Sequence, residues 1–255
     1  MQIIELINII EKKFDPNLQE KWDNSGLQVG DTSFKLKNIL LCLDVTEEAI
    51  DEAIKNNCNL IISHHPIIFP SVNKVITDFK GKKIIKAIKN DICIYSTHTP
   101  SDLLGFNTFV FNKMGFNSIG KISKVEEYGY GDYANIDLSL DEIIERIKKN
   151  LNLDRVIFYG KNKNHKRVGL VTGSGMDFVD DAINKGIDLF ITGDVKHHDA
   201  IDSVEKGLSI LDIFHEGGEK HFVDFFENYL KKIEDLDDIK IYKYFDNEEY
   251  LPKFI

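Results

Sequence analysis

The sequence predicts an α/β protein that is built from two similar halves. Short apolar runs suited to buried strands alternate with stretches that have the periodicity of amphipathic helices. The order strand, helix, strand occurs twice, and this order is typical of units with parallel strands. The chain has 255 residues, which is enough for one large or two medium domains. We therefore expect two α/β domains of similar topology.

An internal match supports the division into halves. Residues 51–63 align without gaps with residues 180–192, and each segment follows an apolar run. A third apolar run in each half ends in a histidine that is followed by an acid in the pattern His-x-x-x-acid, at His98 and at His215. Two βαβ units share some similarity for generic reasons. The common Ala-Ile pair and the repeated His-x-x-x-acid ending favour internal duplication over that alternative.

Glycines near the middle of the chain mark the expected domain boundary. Gly129 and Gly131 separate a first domain, residues 1–128, from a second domain, residues 129–255. The end of the chain contains an expected helix from Glu219 to Lys232 and a strand over residues 240–245. We expect these C-terminal elements to pack back on the first domain. A Ser139-x-x-Glu142 capping box also predicts a helix from Leu140 to Leu151.

Composition excludes several classes of protein. The formal net charge of −10 argues against extensive nucleic-acid contact, because an acidic surface repels phosphate. Three cysteines without a CxxC pair are typical of free buried thiols in a reducing compartment. The N-terminus lacks the features of a signal peptide, and no apolar run approaches the roughly 20 residues that span a bilayer. A cytoplasmic protein without membrane contact is expected.

Most histidines follow apolar runs directly. In open parallel sheets, ligands bind beyond the carboxyl ends of the strands, so such side chains can converge on one site. Six of the eight histidines have this placement: His64, His65, His98, His197, His198 and His215.

A histidine pair followed by proline ends one expected buried strand. Neighbouring side chains on a strand point to opposite faces, but a turn at Pro66 can direct His64 and His65 towards two ions. The alternative is a pair of ordinary core or surface histidines. The two His-x-x-x-acid endings add Asp102 and Glu219 with His215. Imidazole with carboxylate suits Zn, Fe, Mn, Co or Ni better than Mg or Ca.

Two such ions would activate water near neutral pH, which is hydrolase chemistry. His98 would then shuttle a proton or brace a ligand. The same residues would serve equally well in a metal store or delivery protein without turnover.

Two glycine-containing segments are also candidates for a binding site. Gly173-Ser174-Gly175 follows an apolar run and is either a tight turn or a phosphate cradle. The polar segment Trp22–Asp31, which holds the single tryptophan, either supports the core or lines the pocket.

These motifs in this order resemble the NIF-three-like family of YbgI-type proteins. The matching segments run along almost the whole chain: Trp22-Asp-Asn-x-Gly-Leu-x-x-Gly30, Ser63-His-His-Pro-x-x-Phe69, Ser96-Thr-His-Thr-x-x-Asp102, Thr192-Gly-Asp-x-x-x-His198-Asp-Ala and His215-x-x-x-Glu219. One departure is Phe214, where the family usually has glycine.

The resemblance implies two interlocked α/β domains with a dinuclear metal site between them. It implies two divalent ions per subunit and a toroidal homohexamer. Pocket positions fall on His98 and His198, and Trp22 and Asn24 become candidate substrate-binding residues. The implied ligands are His64, His65, Asp102, His215 and Glu219.

Three functions are compatible with the histidine and carboxylate cluster and with this resemblance. The first is a metal-dependent hydrolase of a small nucleotide-like or phosphorylated substrate. Relatives are often labelled GTP cyclohydrolase 1 type 2 homologues, which makes hydrolytic opening of guanine one candidate reaction. The second is a metal-handling protein or metallochaperone without turnover. The third is a regulatory or nucleic-acid-interacting scaffold.

Overall fold

The computed structural model describes residues 1–246 and 250. The chain forms two compact units. The first comprises Met1–Ser101 together with the described residues from Phe222 onward, and the second comprises Asp102–His221. This division differs from the expected boundary after residue 128, because Gly129 and Gly131 lie inside a strand of the second unit.

The described residues form both strands and helices. The strands are β1 (Gly26–Val29), β2 (Ile39–Cys42), β3 (Leu60–Ser63), β4 (Cys93–Ser96), β5 (Gly120–Val125), β6 (Tyr128–Ser139), β7 (Ile157–Tyr159), β8 (Asn164–Leu170), β9 (Leu189–Thr192), β10 (Ser209–Asp212) and β11 (Ile241–Lys243). The α-helices are α1 (Ile3–Glu11), α2 (Glu47–Lys55), α3 (Phe79–Lys89), α4 (Thr99–Ser101), α5 (Asn107–Lys113), α6 (Leu140–Leu151), α7 (Val179–Asn184), α8 (His197–Glu205), α9 (His215–Glu219) and α10 (Phe222–Leu230).

Each unit contains one mixed sheet. Four strands have the same arrangement in both sheets. The first sheet has the order β1-β4-β3-β2-β11, and the second has the order β5-β6-β8-β9-β10-β7. Strands β2, β3 and β4 are parallel, as are β8, β9 and β10. An antiparallel strand closes the same side of each set, β1 beside β4 and β7 beside β10. The predicted α/β class is confirmed, and each sheet contains this same arrangement of four strands.

The repeated segments occupy equivalent places in these sheets. Residues 51–63 contribute to α2 and β3, and residues 180–192 contribute to α7 and β9. The sheets differ at the other edge. There the parallel strand β11 joins β2, whereas the antiparallel β6 joins β8.

Burial explains why these short apolar runs form strands. Strands β2, β3, β4, β9 and β10 are buried at every position, as expected for parallel strands that are covered on both faces. The expected free thiols are confirmed, since Cys42, Cys58 and Cys93 are buried and form no disulfide. None of the described helices combines the length and the apolar character that spanning a bilayer requires.

Local signals define the helix ends. The predicted helix α6 is confirmed from Leu140 to Leu151, and its Ser139–Glu142 capping box is formed. The helix expected from Glu219 to Lys232 is instead divided into α9 and α10. The first of these begins early, at His215, because Phe214 turns the chain sharply after β10.

The turn after β10 places Phe214 in an unusual backbone conformation. Its φ of 63° and ψ of 163° lie in a region that glycine adopts easily and side chains with a Cβ do not. The amide of Phe214 donates to the Asp212 carboxylate at 2.8 Å, which holds the turn. The Phe214 ring packs under the Arg155 guanidinium, 5.1 Å from the ring centroid.

Replacement of Phe214 tests this strain. Both Phe214→Gly and Phe214→Ala remove the ring, but only the alanine keeps a Cβ in the unfavourable region. Allowing for the greater unfolded-state entropy of glycine, we expect Phe214→Gly to be more stable than Phe214→Ala by about 1 kcal/mol or more in urea unfolding. An alanine variant of equal or greater stability would contradict the strain.

Candidate metal centre

Three histidines of the first unit form a compact group. His64 follows β3 directly with His65, and His98 lies two residues beyond β4. One ring nitrogen of each lies within 4.8 Å of a ring nitrogen of the other two, and their ring centroids are 5.0–5.5 Å apart. His64 is fully buried, and the other two are partly buried. This group could hold a metal ion.

Hydrogen bonds hold the first two rings through the Nδ1 atom. His64 Nδ1 lies 3.2 Å from the Thr97 carbonyl oxygen, and His65 Nδ1 lies 3.0 Å from a carboxylate oxygen of Asp44. A carbonyl oxygen and an ionised carboxylate only accept hydrogen bonds, so Nδ1 donates in each case. The lone pair is then on Nε2, and this is the arrangement that metal-binding histidines usually show.

His98 is held in the same way by a buried carboxylate. Its Nδ1 lies 3.0 Å from Asp23 Oδ1, and the Asp23 side chain is 0% exposed. Asp23 also accepts hydrogen bonds from the backbone of Asn24, the hydroxyl of Ser25, and both the backbone and the hydroxyl of Thr99. Burial alone would raise the pKa of Asp23, but the hydrogen bonds from His98, Thr99 and Asn24 outweigh it and hold this pKa well below its usual range.

The second unit presents a histidine between two carboxylates. His215 and Glu219 lie on α9 at i and i+4, and His215 Nε2 is 2.8 Å from Glu219 Oε2. The Nδ1 atom of His215 is 2.7 Å from Asp194 Oδ2, directly after β9. Glu219 is only 4% exposed. An imidazole nitrogen and a buried carboxylate oxygen so close together suit a shared metal ion.

Two glycines allow the backbone to approach Glu219 and His215 closely. Gly173 has a φ of 63°, and a Cβ there would collide with the Glu219 carboxylate. A Cβ on Gly193 would lie 2.7 Å from the backbone nitrogen of His215. The amide of Gly175 donates to the Thr192 hydroxyl at 2.9 Å and is thereby used inside the protein. This hydrogen bond favours the tight-turn interpretation of residues 173–175 over a phosphate cradle.

Two other predicted residues lie in the second unit. Asp102 begins a π-helical turn, Asp102–Phe106, and is partly buried. His198 is exposed in the first turn of α8, with its ring centroid 5.2 Å from that of His197. Their roles as ligand and pocket residue stay predictions.

An exposed aromatic pair lies beside His98. Trp22 is 57% exposed and Phe69 is 46% exposed. The Trp22 ring centroid is 5.6 Å from that of His98 and 6.1 Å from that of Phe69, edge to face in both cases. The side-chain amide of Asn24 donates to the Ile68 carbonyl at 2.8 Å. This hydrogen bond braces the loop that contains Trp22 and Asn24.

The carboxylates that hold the histidines were missed by sequence reasoning. Asp23 stands between the two candidates Trp22 and Asn24, and Asp194 appears only within the motif that begins Thr192-Gly-Asp. Asp44 had no distinguishing signal. A possible signal for Asp44 and Asp194 is their position, since each follows an apolar run by one or two residues.

Comparisons with known proteins agree with the fold and the motifs. The family model described as Duf34/NIF3 (NGG1p interacting factor 3) matches residues 1–247. A Clostridium perfringens protein is 41% identical over 228 residues, covering 86% of this chain and 87% of that protein. A Clostridium acetobutylicum protein is 37% identical over 229 residues, covering 86% and 85%. Both are named GTP cyclohydrolase 1 type 2 homolog.

A solved structure extends the comparison to the whole chain. The Staphylococcus aureus hypothetical protein SA1388 superimposes with a TM-score of 0.92 and 27% sequence identity. The match covers 100% of this chain and 99% of that chain.

Substitution of Gly173 tests whether its close approach to the Glu219 carboxylate contributes to metal binding. Gly173→Ala should displace the Glu219 carboxylate and weaken binding of Zn²⁺ or Co²⁺ by about tenfold or more, measured by calorimetry on the full chain. Gly207→Ala is the matched control, since Gly207 also has a positive φ, 90°, but nothing lies within 4 Å of a Cβ there. Equal metal affinity in the two variants would show that Glu219 does not depend on this approach.

Proposed function

The chain belongs to the DUF34/NIF3 family, and from that premise we propose that it is a metal-dependent hydrolase with a dinuclear centre. The substrate is small and nucleotide-like or phosphorylated. Hydrolytic opening of a guanine ring is one candidate reaction, in line with the name of the two clostridial relatives.

The observation that carries this proposal is the way the imidazoles are held. His64, His65, His98 and His215 each bind a carbonyl or carboxylate oxygen through Nδ1. This pattern favours Nε2 for ligation or proton transfer at His64, His65 and His98, and at His215 the Nε2 atom faces the buried Glu219 carboxylate. Ordinary core histidines have no reason to share it.

The donor set fits the ions expected from the sequence. In the proposal the ligands are those implied by the family resemblance. Imidazole nitrogens with carboxylate oxygens suit Zn, Fe, Mn, Co or Ni. The proposed ligands are His64, His65, Asp102, His215 and Glu219.

Bound in pairs, such ions supply Lewis-acid activation of water and of the bond to be hydrolysed. The residues of the chain do the rest. Glu219 is buried, and its carboxylate is kept close to His215. His98 holds its proton on Nδ1, so its Nε2 accepts a proton from water. The toroidal homohexamer stays a prediction from the resemblance.

The exposed aromatic pair supports a substrate with a planar ring. Trp22 exposes its ring next to His98, and Phe69 exposes its ring next to Trp22. A nucleobase or similar heterocycle stacks well on such side chains, and stacking contributes about 1–3 kcal/mol per base.

Removal of ligands tests the hydrolase directly. Metal-loaded protein is assayed with GTP and a panel of phosphoesters against a His64→Ala, Glu219→Ala double variant. We expect turnover to fall about a thousandfold, since metal activation contributes several kcal/mol. Glu205→Ala, an exposed carboxylate at the end of α8, serves as the control and should retain activity.

Two outcomes of this assay would contradict the hydrolase. One is an equal background rate for the wild-type protein and the double variant on every substrate. The other is metal that transfers to an acceptor protein without any turnover, which would favour metal handling.

Trp22 provides a test of substrate class. Trp22→Ala should raise KM about five- to hundredfold for substrates with a heteroaromatic ring, and Trp22→Phe should restore most of the loss. Glycerol phosphate, which lacks a ring, should show an unchanged KM if the site hydrolyses it. A loss of the same size for both substrates would show that Trp22 supports the loop and does not contact a ring.

A further inference from the structure

We propose that Asp23 is a positioning residue that fixes the tautomer and orientation of His98. This inference rests on the proposed function, because His98 acts there as the proton acceptor. Asp23 itself contacts neither the substrate nor the proposed metal ligands in this scheme. It acts only through the imidazole of His98.

The hydrogen bonds of Asp23 leave its carboxylate a single arrangement. Oδ1 accepts from the backbone of Asn24 at 2.6 Å and from His98 Nδ1 at 3.0 Å. Oδ2 accepts from the Ser25 hydroxyl at 2.9 Å and from the Thr99 hydroxyl at 2.6 Å. The Thr99 backbone adds a further hydrogen bond at 3.1 Å. A carboxylate with donors on both oxygens cannot rotate away from His98 without leaving several of these donors without an acceptor.

These hydrogen bonds also join two distant segments. Asp23 lies in the loop before β1, and His98 follows β4, 75 residues later. The backbone amide of His98 donates to the Ser25 hydroxyl at 3.0 Å, so the same loop holds both the main chain and the ring. The His98 ring is flanked by His64, at 5.0 Å between centroids, and by Trp22 on another side. Its position is therefore set by hydrogen bonds and by packing together.

Burial of the carboxylate distinguishes the Asp23–His98 pair from the similar Asp44–His65 pair. The side chain of Asp44, which holds His65, is 51% exposed, whereas that of Asp23 is 0% exposed. Water can replace Asp44 as an acceptor but has no access to the Asp23 carboxylate. A hydrogen bond away from water is stronger and more specific, so the tautomer of His98 depends on Asp23.

The tautomer is measured on metal-free full-length protein by long-range ¹H–¹⁵N NMR of the imidazoles. Wild-type protein should show His98 with the proton on Nδ1. Asp23→Asn and Asp23→Ala should both populate the form with the proton on Nε2. Ser25→Ala is the matched control: it removes hydrogen bonds to Asp23 and to the His98 backbone but leaves Nδ1 in contact with Asp23. Its tautomer should remain that of the wild type.

Kinetics provide the second measurement. Both Asp23 variants should lower kcat about 10- to 100-fold with little change in KM, and Ser25→Ala should change kcat much less. A wild-type tautomer in folded Asp23 variants would overturn the proposal. So would a shift in Ser25→Ala as large as that in Asp23→Asn. Because the tautomer is read without substrate or metal, absence of turnover in the wild type would count against the hydrolase and leave the role of Asp23 tested.

Discussion

Hydrogen bonds at Nδ1 determine what each candidate ligand can offer. An imidazole has two nitrogens, and fixing the proton on one of them assigns the lone pair to the other. In this protein the acceptors come from three kinds of position: a backbone carbonyl at Thr97, a buried carboxylate at Asp23, and partly exposed carboxylates at Asp44 and Asp194. The chemistry of the site therefore depends on residues that surround the ligands as much as on the ligands themselves.

The sheets supply the frame for these hydrogen bonds. Parallel strands end at the same edge, so residues that follow β3 and β4 are brought together without a special loop. The buried strands could be predicted because they are short, apolar and bounded by polar residues. The division between the units could not, because it depends on which strands pair, and β11 joins β2 from the far end of the chain.

The site, too, could be predicted from the sequence only in part. Histidines at strand ends are visible in the sequence, since the apolar run that precedes each one marks the end of the strand. Their partners are not visible in this way, because Asp23 meets His98 across 75 residues, and Asp194 meets His215 across 21 residues. Such contacts require knowledge of which loops lie side by side. Phe214 is a different case: its departure from glycine is apparent in the sequence, but the backbone angles that make it costly are not.

Equivalent positions in the two units perform different tasks. In the first unit β3 is followed by His64 and His65, whose side chains join the three-histidine group. In the second unit β9 is followed by Gly193 and Asp194. Gly193 leaves space for the backbone of His215, and Asp194 holds the ring of that residue.

One strand end therefore provides two proposed ligands, and its counterpart supports a proposed ligand that follows the next strand. A duplicated unit with a histidine pair at both strand ends would lack the Asp194 carboxylate that holds the His215 ring. The difference in residues at β3 and β9 explains how two sheets of one topology can supply unlike donors, imidazole from one and imidazole with carboxylate from the other.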